Sequence, residues 1–220
     1  MRRAEFECND FDLIKRHLDE IPFGTMIMPD LHSSVPYAVP LSFCFLPNIA
    51  PKGAIGIHGA KAGRKYALLK ENPKVSFSVA KPYAYIGSGF LGGAMIPTQF
   101  FFSALITGCF CVVEDFAQKR AILSALVAKY EAGSTNFDFS KSAFVGSERG
   151  VFVGIIEIES LSVKAKFGQN LKPSEFESIV QDLQTRAQSR AKSCSAGQQD
   201  NIDSQTIALM RQFAKMGSKK

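Results

Sequence analysis

Strand patterns succeed one another in this chain without helices between them, and that limits the folds open to it. "KVSFSVAKP" (74–82) alternates as a half-buried strand does. The next regular pattern, "FFSALITGCFCVV" (101–113), is again a strand. Before them come "FGTMIMPD" (23–30), "VPYAVPLSFCFLP" (35–47) and "GAIGIHG" (53–59); the long β-rich stretch "GVFVGIIEIESLSVKAKF" (150–167) comes after. Pro36 and Pro40 remove ladder donors, so the 35–47 strand must lie at an edge or carry a bulge. Parallel neighbours need long, usually helical, crossovers, and the helices are too few to supply them. The pattern predicts a mainly β fold, an antiparallel barrel with peripheral helices.

Helical patterns are placed around these strands. "DFDLIKRHLDE" (10–20) opens on Asp10 as N-cap and puts Phe11, Ile14 and Leu18 on one face. Residues 63–71 make a short helix ended by "ENP". Asp115 caps the helix of 114–131, with Gln118 three residues on, as in a capping box. A helix over 172–193 has Pro173 near its first turn and Phe176, Ile179, Val180, Leu183 and Ala187 as its apolar stripe. "CSAGQQDNIDS" (194–204) reads as a polar linker and 205–216 as a last short helix. The organisation expected is a barrel domain over 1–170, then a C-terminal helical extension with a linker and a basic tail over 171–220.

Two look-alikes are set aside. Residues 82–113 carry no formal charge, long enough for a membrane span. Gly87, Gly89, Gly92, Gly93 and Pro97 interrupt the segment, so a glycine-rich loop leading into a buried strand is the better reading. Gly87-x-Gly89-x-x-Gly92 matches the dinucleotide fingerprint, but no helix opens there and no acid follows before Glu114.

Composition bounds the rest. Of 220 residues 46% are hydrophobic, enough for a core, and 26 Lys+Arg against 20 Asp+Glu give a net charge of +6. That permits an anionic ligand, but the cations are scattered, and a nucleic-acid partner is not expected. The charged N-terminus has no apolar run of the signal-peptide kind. Five cysteines, an odd number without framework spacing, fit a reducing cytoplasm better than a disulfide scaffold. Cys109 and Cys111 share one side of a strand and are expected to be buried small hydrophobes; no metal site is expected.

One cluster breaks a local rule. In "IHGAKAGRKYALLKENPKV" (57–75), Lys61, Arg64 and Lys65 stand where a helix begins, although helix N-termini disfavour cations. Like charges at i, i+3 and i+4 also repel one another. A phosphate monoester would relieve that repulsion and accept charge-assisted bonds from side chains and turn N–H groups. A solvated basic patch is the other reading. His58, just before the turn, is either a satisfied strand-end histidine or a functional group; His17 falls on a predicted surface helix and His32 in a loop.

"YAVPLSFCF", "IGIHGAKAGRKYALLKENPKVSF" and "SALITGCFCVVEDFAQKRAILSALVAKY" together resemble the FMN-binding split-barrel superfamily of pyridoxamine 5'-phosphate oxidase-like proteins, in the branch of the 5-nitroimidazole reductases. The resemblance runs over roughly 8 to 165 and implies an antiparallel split β-barrel that binds FMN. It implies that Val39, Pro40, Leu41 and Ser42 line the flavin ring and that Gly59 and Ala60 approach the ribityl-phosphate by their backbone. It further implies that Lys61, Arg64 and Lys65 hold the phosphate, that Ser103 lies near the cofactor, and that His58 is the catalytic candidate at the ring. Homodimers with flavin at the interface are usual in that superfamily.

The 83–99 loop is longer and more apolar than the family pattern, as a lid or an interface would be. "KAKFGQN" (164–170) is similar to the "KLSQN" element of a flavin-barrel group linked to transcriptional regulation, and is too short to carry a function by itself. The function expected is an FMN-dependent oxidoreductase acting on a small molecule of nitroaromatic or nitroimidazole type. The alternative is a non-catalytic flavin- or haem-binding regulatory protein on the same barrel.

Overall fold

The computed structural model describes residues 3–131, 150–193 and 202–217. Seven strands form one sheet: β1 (Phe23–Met28), β2 (Tyr37–Ser42), β3 (Cys44–Leu46), β4 (Ala54–Ala60), β5 (Lys74–Ile86), β6 (Thr98–Val112) and β7 (Val151–Lys166). Their order is β2-β1-β5-β6-β7-β4-β3, a mainly antiparallel half-barrel with flanking helices. Among the described residues the α-helices are α1 (Phe11–Glu20), α2 (Gly63–Glu71), α3 (Phe116–Tyr130), α4 (Pro173–Ser193) and α5 (Ile202–Gly217).

Contacts divide the chain into two compact units. The larger holds residues 9–79 and 104–162. Asp10 caps α1 by accepting the Leu13 N–H at 2.9 Å, and Asp115 caps α3 by accepting that of Gln118 at 2.8 Å. α3 lays Ile122 and Leu126 on Cys44, Ala54, Val113, Val153 and Ile155. Among the described residues β2 is an edge strand, paired only with β1, as Pro40 requires.

The smaller unit holds residues 1–8, 80–103 and 163–220. Phe167 is its hub: Tyr83 and Phe100 meet it edge-on at 5.0 and 6.3 Å, and Phe213 stacks on it at 5.4 Å. Asp203 is fully buried and receives Arg186 through two nitrogens, at 2.6 and 2.9 Å, with Arg190 at 3.3 Å.

Four expectations are corrected. Of the predicted linker, 194–201 lie outside the described residues, but 202–204 belong to α5, because Asp203 is drawn inward by two arginines. His17 is buried rather than on a surface, its Nδ1 2.8 Å from the Leu13 carbonyl. Cys111 is exposed and Cys109 half-buried, since that face of β6 is the outward one. β5 runs on through Pro82 to Ile86 instead of stopping; its ladder with β1 ends at Ser78, so β1 asks nothing of the proline nitrogen. No described helix is long and apolar enough to cross a membrane.

Candidate functional site

β4 builds the site by leaving the core. Ala54 to Ile57 are buried, and then His58 is exposed, Gly59 half-buried and Ala60 exposed. β7 holds this end in register, with His58 opposite Val153, Gly59 opposite Phe152 and Ala60 opposite Val151. The Lys61 N–H continues the ladder to the Gly150 carbonyl at 2.8 Å. The chain then turns through Ala62, which is extended, and Gly63, whose φ of +84° suits glycine and few other residues. α2 starts at once.

Nothing among the described residues caps that start. Ala62 stands at the N-cap position, where Ser, Thr, Asp or Asn would accept a first-turn N–H, and no described side chain takes its place. Lys65 folds back over the turn: a methyl group on Gly59 would collide with the Lys65 ammonium and touch the Phe152 ring at 3.1 Å. The ammonium stands 5.3 Å from the Phe152 ring centre, and Tyr66 stacks on the same ring at 5.4 Å. Burial pushes the Lys65 ammonium below the usual lysine range. Neither Lys61 nor Lys65 has an acidic partner among the described residues.

Arg64 is differently placed. Its guanidinium pairs with Asp30 and lies 4.9 Å from the Tyr37 ring centre, so it ties the first turn of α2 to the head of β2. Arg64 holds the Asp30 carboxyl below its ordinary range, against burial, with help from the His32 N–H at 3.1 Å. His32 in turn meets Glu71 at 3.1 Å. His58 is pushed below the usual histidine range, first by loss of hydration and then by the Lys65 charge.

On β2, Leu41 is buried and Val39 half-buried on one face, while Pro40 and Ser42 point the other way. All four side chains therefore cannot line one ring, but the free edge of β2 presents its backbone to whatever lies beside it. The structure brings His58, Gly59, Ala60, Lys61, Arg64 and Lys65 together around one turn, and Arg64 joins them to β2. Ser103 is half-buried on β6 in the smaller unit. Asp30, Tyr37 and Phe152 were not foreseen. Asp30 lies 34 residues from Arg64, and no local spacing announces such a pair.

The family described as "Putative FMN-binding domain" matches residues 1–160. The chain belongs to this family, of the pyridoxamine 5'-phosphate oxidase-like type. Among solved structures, a "putative 5-nitroimidazole antibiotic resistance protein" from Bacteroides thetaiotaomicron is 21% identical with a TM-score of 0.56, over 72% of this chain and 85% of that one. The FAD and heme binding protein of Mycobacterium smegmatis is 20% identical with a TM-score of 0.60, over 74% of each chain. The flavocytochrome Anf3 of Azotobacter vinelandii is 18% identical with a TM-score of 0.60, over 76% of this chain and 72% of that one. At these identities the likeness is one of fold. Comparison with curated proteins gives no match.

The turn gathers groups able to hold an anion. Uncapped helix N–H groups, two cations with no carboxylate partner among the described residues and a glycine over which the Lys65 ammonium sits all suit a phosphate ester.

Proposed function

We propose that the chain binds FMN with its phosphate at the head of α2 and acts as a flavin-dependent oxidoreductase on a small nitroaromatic or nitroimidazole-type compound. The observation that carries the reading is Lys65: a partly desolvated ammonium over Gly59, beside an uncapped helix start. Lys65 and Lys61 donate to the phosphate, and Gly59 and Ala60 let it approach the backbone. Arg64 acts mainly by positioning, since Asp30 and Tyr37 already hold it. The β2 edge from Val39 to Ser42 packs beside the ring. When bound, FMN supplies the electron transfer. His58, exposed and inclined to stay neutral, is the residue to exchange a proton with a substrate at the ring. A homodimer completes the site, and free thiols at Cys44, Cys109 and Cys111 suit the cytoplasm.

The test is the spectrum of the purified protein, followed by anaerobic reduction with NADH or NADPH and addition of a nitroimidazole. Flavin bands bleached by the nicotinamide and restored by the nitro compound are expected. Flavin that is bound but never reoxidised by it would leave a non-catalytic flavin binder, and absence of flavin would overturn the reading.

A further inference from the structure

The smaller unit contains a cavity of about 570 Å³ that the flavin reading does not use. It is built at the end of β7. There the strand alternates: Val163 and Ala165 are buried, while Lys164 and Lys166 share the opposite face and are half-buried. The N-terminus is fastened alongside, with the Cys8 N–H on the Val163 carbonyl at 3.2 Å and Glu7 bridged to Lys164 through the backbone. A short helical turn, Ala4–Phe6, then places the Phe6 ring in the cavity wall and Arg3 beside it.

Three cations converge on that ring. Arg3, Lys164 and Lys166 lie 5.8, 5.7 and 5.9 Å from its centre, and Lys164 also lies 5.8 Å from that of Phe101. Arg3 has Glu5 at 3.2 Å, but neither lysine has an acidic partner among the described residues. Among the described residues Lys166 donates only to the neutral Thr98 hydroxyl. One carboxylate, Glu175, lies in the wall, and it accepts the Lys172 N–H at 3.0 Å, which ties it to the start of α4. The wall therefore sets three cations against one acid. Burial, and then Arg3 and Lys164, push the Lys166 ammonium below the lysine range, which a freely solvated surface lysine would not show. Leu91, Met95, Ile96 and Pro97 add apolar wall from the glycine-rich loop.

We propose that this cavity binds a planar aromatic anion, with its carboxylate or phosphate held by Lys164, Lys166 and Arg3 and its ring against Phe6 and Phe101. The volume is that of a small-molecule site. The charges supply charge-assisted bonds to the anion and the phenylalanines a flat apolar surface. The repulsion stored among the cations is relieved when the anion enters. The motif "KAKFGQN" thereby gains a role: it sets two lysines on one face of a strand and brings Asn170 to the cavity rim.

The test is calorimetric titration of the full chain with 2-naphthoate, and with neutral 2-naphthamide as the comparator. Saturable binding of the acid, with the amide at least tenfold weaker, is expected. Lys164→Gln/Lys166→Gln should lose at least tenfold in naphthoate affinity while keeping FMN affinity and its melting temperature. Lys65→Ala should bind naphthoate as the wild type does, and saturating FMN should not displace it. No binding of naphthoate, equal affinity for acid and amide, undiminished binding in the double variant, or displacement by FMN would each overturn the proposal. If the double variant does not fold, the acid–amide comparison on the wild type decides. FMN affinity is read separately, so loss of the flavin assignment would not be mistaken for loss of this one.

Discussion

Lys65 and Arg64 are neighbours in sequence, yet the fold gives them different work. Lys65 has no carboxylate partner among the described residues and is partly desolvated, so an incoming phosphate would give it a charged partner. A charge-assisted hydrogen bond contributes about 1.5–3 kcal/mol. Lys65→Ala is therefore expected to weaken FMN binding tenfold or more with little change in melting temperature. Arg64→Ala should weaken it less, because that guanidinium is already engaged; fluorescence titration of FMN against both variants measures the difference. Arg64→Ala should instead show in acid. Asp30 has a lowered native pKa, chiefly through Arg64, so its contribution is present above the ordinary carboxylate range and lost as pH falls through the lowered value. Without Arg64, acid unfolding should begin at higher pH. His58 is also depressed. Its neutral form is favoured in the fold, so this contribution is complete above about 6.5 and fades as pH falls through the lower native midpoint. An NMR titration of His58 should give a midpoint below about 6.5, rising when FMN brings a phosphate near. His58→Ala is expected to retain flavin and melting temperature and to lose turnover; full activity in that variant would remove His58 from the mechanism.

α2 is a short helix whose start is left without a cap, which disfavours it as an isolated element. Ala62→Asp would supply one. An N-cap of this kind stabilises by roughly 0.5–2 kcal/mol, and the added carboxylate also suits the helix dipole. The same carboxylate would occupy the N–H groups proposed for the phosphate and repel it. The variant is expected to melt higher and bind FMN more weakly. If both stability and affinity rose together, the head of α2 would not be the phosphate site. The free edge of β2 has a similar logic: Pro40 cannot donate to a neighbouring strand, so the edge resists strand addition while remaining open to a flat ligand.

The smaller unit depends on buried charges of its own. Asp203 is fully buried between Arg186 and Arg190 and fastens α5 to α4. Removing one partner of such a pair leaves the other uncompensated, and because Arg186 keeps some access to water the loss should be about 2–4 kcal/mol. Asp203→Asn is expected to unfold at lower urea without losing the phosphate turn, which belongs to the other unit. Assembly is testable at the same scale: sedimentation should give twice the 24.1 kDa chain mass, and a monomer with bound flavin would show that one chain suffices.

Much of the element plan was written locally. Asp10 and Asp115 announce their helices because a capping carboxylate needs only the next three residues. Gly63–Glu71 was bounded by the turn before it and "ENP" after it. Pro36, just before β2, and Pro40 within it placed that strand at an edge, and the misplaced cations of α2 marked the turn, because both effects act within a few residues. The pairing of Arg64 with Asp30, the stacking of Arg64 on Tyr37 and the return of Lys65 over Gly59 were decided by the tertiary structure. So were the burial of His17 and Asp203 and the exposure of Cys111. Those properties depend on which distant residues share a neighbourhood. Polarity and spacing along the chain cannot tell a charge that water will solvate from one that a partner 17 or 34 residues away will draw into the interior.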